Sequence, residues 1–150
     1  MNSRLVEFRP PRIAQLLILG AVLLHWATPF DLPLYANRAL GLLVGAGGFA
    51  IMMWAWWLFR KSATAICPTD TPSVLVSSGI FRITRNPMYL GMFGILIGIA
   101  VFVGGLFFYV AAIVYFTVMN VVFCPYEENK LSACFGDAYG SYSARVGRWI

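Results

Sequence analysis

Charge is scarce in this chain. Asp, Glu, Lys and Arg make up 11% of its 150 residues, whereas 60% are hydrophobic. Soluble domains carry roughly 25% charged residues. So few charges cannot cover a water-facing surface, which excludes an ordinary soluble domain. Cysteine is sparse too. Cys67, Cys124 and Cys134 show no CxxC spacing, so they support neither a disulfide framework nor a zinc site. The single histidine, His25, stands beside Trp26 near the far end of an apolar run and reads as part of an interfacial pair. Residues 88–124 contain no charge at all. The net charge of +5 does not argue for nucleic acid, because the basic residues flank apolar segments, as they do in membrane proteins.

What is present is a set of long apolar runs. A helix needs about 20 apolar residues to cross the hydrocarbon core. Residues 13–27 form an uncharged run that can extend to Phe30, and Pro29, Asp31 and Pro33 then break it. Residues 39–59 form a second, ended by Arg60 and Lys61. The run 88–124 is too long for one span and right for two. Gly104 and Gly105 sit near its middle, which predicts a tight hairpin of spans 88–103 and 106–124. Beyond Glu127, the residues Leu131, Ala133, Cys134, Phe135 and Ala138 recur roughly at helical spacing among polar ones. They predict an interfacial helix followed by the aromatic anchors Tyr139, Tyr142 and Trp149. The expected fold is an all-α integral membrane protein with about four transmembrane helices and a C-terminal interfacial helix. Residues 1–150 form a single membrane domain, with two N-terminal spans in 13–59 and a functional core in 60–150.

The basic residues suggest an orientation. Arg4, Arg9 and Arg12 precede the first run; Arg60, Lys61, Arg82 and Arg85 lie between the second and third; Lys130, Arg145 and Arg148 follow the fourth. The connection after the first run has only Arg38. The positive-inside rule then places both termini and the 60–87 connection in the cytoplasm. The leader MNSRLVEFRPPR, without a small-residue cleavage site after its span, reads as a retained cytoplasmic segment. A bacterial inner membrane is the expected location.

Two clusters carry chemistry. In "FRITRNPMYLGMFG" (81–94), Pro87 suits the first turn of a helix and Asn86 the N-cap. A helix start favours an anion, and Arg85 adds a full positive charge. Tyr89 offers a hydroxyl one turn inside. On spacing alone, a topology charge, a cap and an interface anchor explain these residues as well. In "CPYEENK" (124–130), Glu127 and Glu128 stand at the end of an apolar run, where positive charge is the norm. They suit a cation or sugar hydroxyls, or equally a solvated pair beside Lys130 or Arg145. A hairpin over 88–124 brings the two clusters together. A positive helix start facing an acidic pair suits a zwitterionic ligand, and S-adenosylmethionine is one. Gly41, Gly45 and Gly48 have small-residue spacing that points to helix packing.

The ordered set of motifs resembles the isoprenylcysteine carboxyl methyltransferase family and its phospholipid methyltransferase relatives. The resemblance runs through Arg85, Asn86, Pro87, Tyr89 and Gly91, then Glu127, Glu128 and Leu131. It continues through Phe135, Gly136, Tyr139, Tyr142, Arg145 and Val146. It covers about residues 64–150. It implies a membrane methyltransferase that takes S-adenosylmethionine from the cytosol and a small lipophilic substrate from the bilayer. It also implies that Arg85, Asn86, Pro87, Tyr89, Gly91, Glu127, Glu128, Tyr139 and Tyr142 bind the cofactor. Arg145, Glu127 and Glu128 are implied as catalytic, with Arg145 near the substrate's reacting group. Many members have histidine where Asn86 stands. Asparagine does not titrate near pH 7, so no acid–base role belongs there.

Methyl transfer to a carboxylate, the favoured acceptor, needs no base. An amine must lose a proton, which Glu127 or Glu128 can take. Two other readings are an NADPH-dependent membrane reductase, related to the typically much longer sterol reductases, and a non-enzymatic membrane scaffold. The sequence leaves the oligomeric state open.

Overall fold

The computed structural model describes residues 10–28, 32–62 and 74–150. Arg4 and Arg9 of the leader, Pro29 and Asp31, and the stretch with Cys67, Pro68 and Pro72 lie outside the described residues. The described residues are helical, with no strand among them beyond an isolated bridge between Pro33 and Gly105. The chain runs through α1 (Pro10–Ala27), α2 (Arg38–Lys61), α3 (Pro87–Val103), α4 (Leu106–Val118), α5 (Cys124–Phe135) and α6 (Asp137–Ser143). A single 3₁₀ turn, Gly79–Arg82, precedes α3. Three helical stretches are long and apolar enough to cross a membrane: α1, α2 and the continuous run Leu106–Phe135. The shorter α3 is apolar throughout. Leu16, Leu19, Leu23, Leu42, Leu43, Ile113 and Val121 point outward, as lipid-facing side chains do. This is an integral membrane protein.

The α2–α3 pair is the tightest contact, because the backbones touch. A Cβ added to Gly48 would lie 2.5 Å from the Gly91 carbonyl, and one added to Gly98 would lie 2.5 Å from the Gly45 nitrogen. Small residues at this spacing let apolar helices approach closely where no hydrophobic driving force separates helix from lipid. Gly41 packs against Phe102 and Gly48 against Gly91, so the two helices are antiparallel. The end of α2 with Arg60 and Lys61 therefore lies at the same end of the bundle as the start of α3.

At the opposite end, α3 stops at Gly104, whose φ of 83° suits glycine and reverses the chain. The hairpin expected there is present. The α1–α2 connection laces onto it: Leu34 N–H donates to the Gly104 carbonyl (2.6 Å) and Asn37 N–H to Val101 (2.9 Å). Between the helices a core forms from Ala14, Leu96, Ala112, Tyr115, Met119, Phe123 and Cys124, with Tyr89 at its edge.

The tail helix expected beyond Glu127 is present, and it runs on from the fourth span. It is continuous with α4 through a π turn, Met119–Phe123. Cys124 N–H reaches back five residues to the Met119 carbonyl. Pro125 follows at once. Proline has no N–H to give and its ring collides with the carbonyl four residues back. A wider turn just before it accommodates both facts. The helix then breaks at Gly136 into α6.

Candidate functional site

The site forms where the start of α3, the first turns of α5, α6 and the final residues converge. Pro87 takes the first position of α3, as its missing N–H favours, and is fully buried. Asn86 precedes it but does not cap with its side chain. Its Nδ2 donates instead to the Arg148 carbonyl (3.1 Å), and its backbone N–H donates to Thr84 Oγ1 (3.2 Å). The buried Thr84 Oγ1 itself donates to the Arg148 carbonyl (3.1 Å). Arg85 N–H donates to the Gly147 carbonyl (3.0 Å). The last residues thus form a strap tied across the start of α3. The N-cap reading of Asn86 gives way to this role, because two donors already converge on one tail carbonyl.

Side chains complete the centre. Glu128 on α5 accepts two bonds from Arg148, Nε at 2.8 Å and NH2 at 2.5 Å. It also faces Arg85 NH1 at 3.3 Å. Arg85 NH1 donates to the Tyr139 hydroxyl (3.0 Å). Next to these four residues, the Tyr89 hydroxyl donates to Glu127 Oε1. Arg148 NH1 also reaches Asn120 Oδ1 (3.3 Å), which accepts from Trp149 Nε1 as well (3.0 Å). Tyr142 anchors the tail from below, donating to the Phe81 carbonyl (2.7 Å).

Electrostatics keep these groups in their donating forms. Burial pushes the Tyr142 phenol up to about 12. Burial also raises Tyr139, although the Arg85 charge and hydrogen bond oppose it. The hydrogen bond to Glu128 holds Arg148 above the ordinary guanidinium value. Among the described residues, one buried side-chain donor has no partner: Arg85 Nε makes no hydrogen bond. A buried unpaired N–H on a cation costs free energy and is at home beside an anion.

Arg85, Asn86, Pro87, Tyr89, Glu127, Glu128, Tyr139 and Tyr142 are thus brought to one end of the bundle. Gly91 is turned the other way, onto Gly48 and Met52 of α2, where a Cβ would lie 2.6 Å from the Gly48 carbonyl. Arg145 stands exposed, its Nε donating to the Ser141 carbonyl (3.0 Å). Two residues of the centre escaped sequence reasoning. In the sequence Arg148 reads only as a topology charge, and Asn120 is the lone amide in the charge-free run 88–124. That oddity was the available signal.

The phospholipid methyltransferase family matches residues 36–138, which takes in α2 to α5 and the start of α6. The chain belongs to the phospholipid methyltransferase family. The family's membrane methyltransferases include those like isoprenylcysteine carboxyl methyltransferase, the resemblance carried by the motifs. The match spans the arginine of the α3 start and both glutamates, and it stops short of Tyr139 and the strap. Neither the curated proteins nor the solved structures compared with the chain gave a match.

Proposed function

We propose that this phospholipid methyltransferase family member transfers a methyl group from S-adenosylmethionine to a lipophilic amine that enters from the bilayer. The observation that carries the reading is the buried, unpaired Nε of Arg85, set between Glu128 and Tyr139 at the α3 start. It is a donor still to be matched, and the donor set fits a ligand with a carboxylate, hydroxyls and a cation. S-adenosylmethionine supplies an electrophilic methyl group on a sulfonium when bound.

Arg85 would hold the carboxylate of the cofactor, with the partial charge of the helix start adding to it. Tyr139 keeps Arg85 turned toward the site. Glu127 is the acid without an arginine partner: Tyr89 serves it. It stands where the apolar core meets the polar end of the bundle, beside Phe123 and Cys124. There it can draw an ammonium headgroup from the bilayer side and accept its proton before transfer. Positioning does most of the remaining work, since the displacement is in line and the site is sheltered from water. Placing this end of the bundle in the cytoplasm follows the charge pattern and belongs to the same proposal.

A carboxylate acceptor is the second reading. It needs no base and is favoured by Arg145, whose exposed guanidinium leaves four N–H donors besides the Nε bonded to Ser141.

The test is methyl transfer from labelled S-adenosylmethionine to a panel of lipid amines and prenylcysteine-like acids in detergent or bilayer discs. Labelled amine is expected. Label appearing only in the acids moves the assignment to the second reading. No transfer to any acceptor, with no binding of S-adenosylhomocysteine, overturns the reading.

A further inference from the structure

We infer that Arg148 is a positioning residue that sets the charge of the cofactor site by sharing Glu128 with Arg85, so that Glu128 does not fully neutralise Arg85. The inference rests on the proposed S-adenosylmethionine site. Three charged groups share one hydrogen-bonded centre: Arg85, Glu128 and Arg148. Glu128 is held far more closely by Arg148, with two bonds at 2.8 and 2.5 Å, than by Arg85, with one contact at 3.3 Å. The fork of a guanidinium matches both carboxylate oxygens at once. Arg148 is itself fixed from behind by Asn120, and that amide is held by Trp149. Glu128 is therefore occupied on both oxygens.

The consequence is a charge balance. Among these three groups, two cations and one carboxylate leave one net positive charge, and Arg85 keeps a buried Nε donor that is unpaired. If the Arg148 side chain were neutral, Glu128 would close on Arg85 and cancel it. The same group of residues would then present no net cation to the carboxylate of a ligand. Glu127, bonded to Tyr89 on the other flank, is unchanged in every variant compared below, so its charge drops out of the comparison. The backbone contribution of residue 148 is separate. Its carbonyl receives Thr84 Oγ1 and Asn86 Nδ2 whatever the side chain is, so a side-chain substitution leaves the strap tied.

The experiment measures S-adenosylhomocysteine affinity by calorimetry on the detergent-solubilised full chain. Arg148→Met should weaken binding roughly tenfold to a hundredfold, the range of a charge-assisted hydrogen bond. The double variant Glu128→Gln with Arg148→Met carries the same net charge at the site as the native chain, and it should regain most of that loss. Arg148→Lys keeps the charge without the fork and should fall between native and Arg148→Met. If Arg148→Met does not fold, the double variant binding within about threefold of Arg148→Lys supports the inference by the same charge logic. Equal binding by the native chain and Arg148→Met overturns it. A loss that Glu128→Gln does not restore also overturns it, because a merely structural Arg148 would behave that way. Failure of the native chain to bind S-adenosylhomocysteine is a different result: it removes the cofactor reading and this inference with it.

Discussion

Tyr89 of α3 donates its hydroxyl to Glu127 of α5, two residues separated by 38 positions in the chain and by the whole hairpin. It joins the two helices that the charge-free run connects, at the end of the bundle where Arg85 and Glu128 also meet. Removing the phenol should therefore harm function more than fold. Tyr89→Phe leaves the Glu127 carboxylate without its donor, and a hydrogen bond to a charged group contributes about 1.5–3 kcal/mol. Methyl transfer at saturating cofactor should fall roughly tenfold to a hundredfold. The protein should remain monodisperse in detergent.

Glu127→Gln separates the two candidate acceptors. An amide cannot take a proton from an ammonium group. Transfer to amines should fall by about two orders of magnitude or more, the usual scale of general-base catalysis. Transfer to a carboxylate should change little, since it requires no base. Product analysis of labelled lipids checks both at once.

The α2–α3 seam should tolerate no side chain at Gly48. Gly48→Ala places a Cβ 2.5 Å from the Gly91 carbonyl, and that neighbour is backbone. Separating the helices should cost about 1–3 kcal/mol, as overpacking does. Gly47→Ala meets nothing within 4 Å and should be neutral or slightly stabilising. Thermal unfolding in one detergent compares them directly.

Tyr142 predicts a pH response. Its phenol has a folded value of about 12 against an ordinary value of 10. A group raised in the folded state contributes stability that is fully present below pH 10 and lost as pH rises through 12. Native protein should thus lose stability from pH 10 upward. Tyr142→Phe should start lower, by about 1 kcal/mol for the lost bond to Phe81, and show a shallower decline. Parallel melts from pH 8 to 11.5 measure the difference in slope.

Much of the fold was legible because it depends on local pattern. The apolar runs, the Gly104 reversal and the small-residue spacing of α2 each announce themselves within a few residues. So did the opposition of Arg85 to Glu128, since a hairpin has to return to its start. What sequence could not reach was the strap. Residues 147–149 acquire their meaning only after folding back onto Thr84, Arg85, Asn86 and Asn120, contacts across 28 to 64 positions. Nothing local distinguishes Arg148, which pairs with Glu128, from Arg145, which does not. The π turn was hidden for another reason. An apolar helix facing lipid has no polar stripe whose drift would betray an extra residue.

That extra residue makes the rod Leu106–Phe135 a helix with two phases. Each α-helical residue advances by about 100°, so one inserted position turns everything beyond it by that angle. The first stretch is phased to α1 and α3, and the second is phased to the strap and the start of α3. The acidic pair therefore owes its aim to a miscount one turn earlier in the helix, in an apolar stretch whose one amide, Asn120, meets Arg148. Deleting a single residue among 119–123 would leave a rod still long enough to cross the bilayer, with its chemistry facing the wrong way.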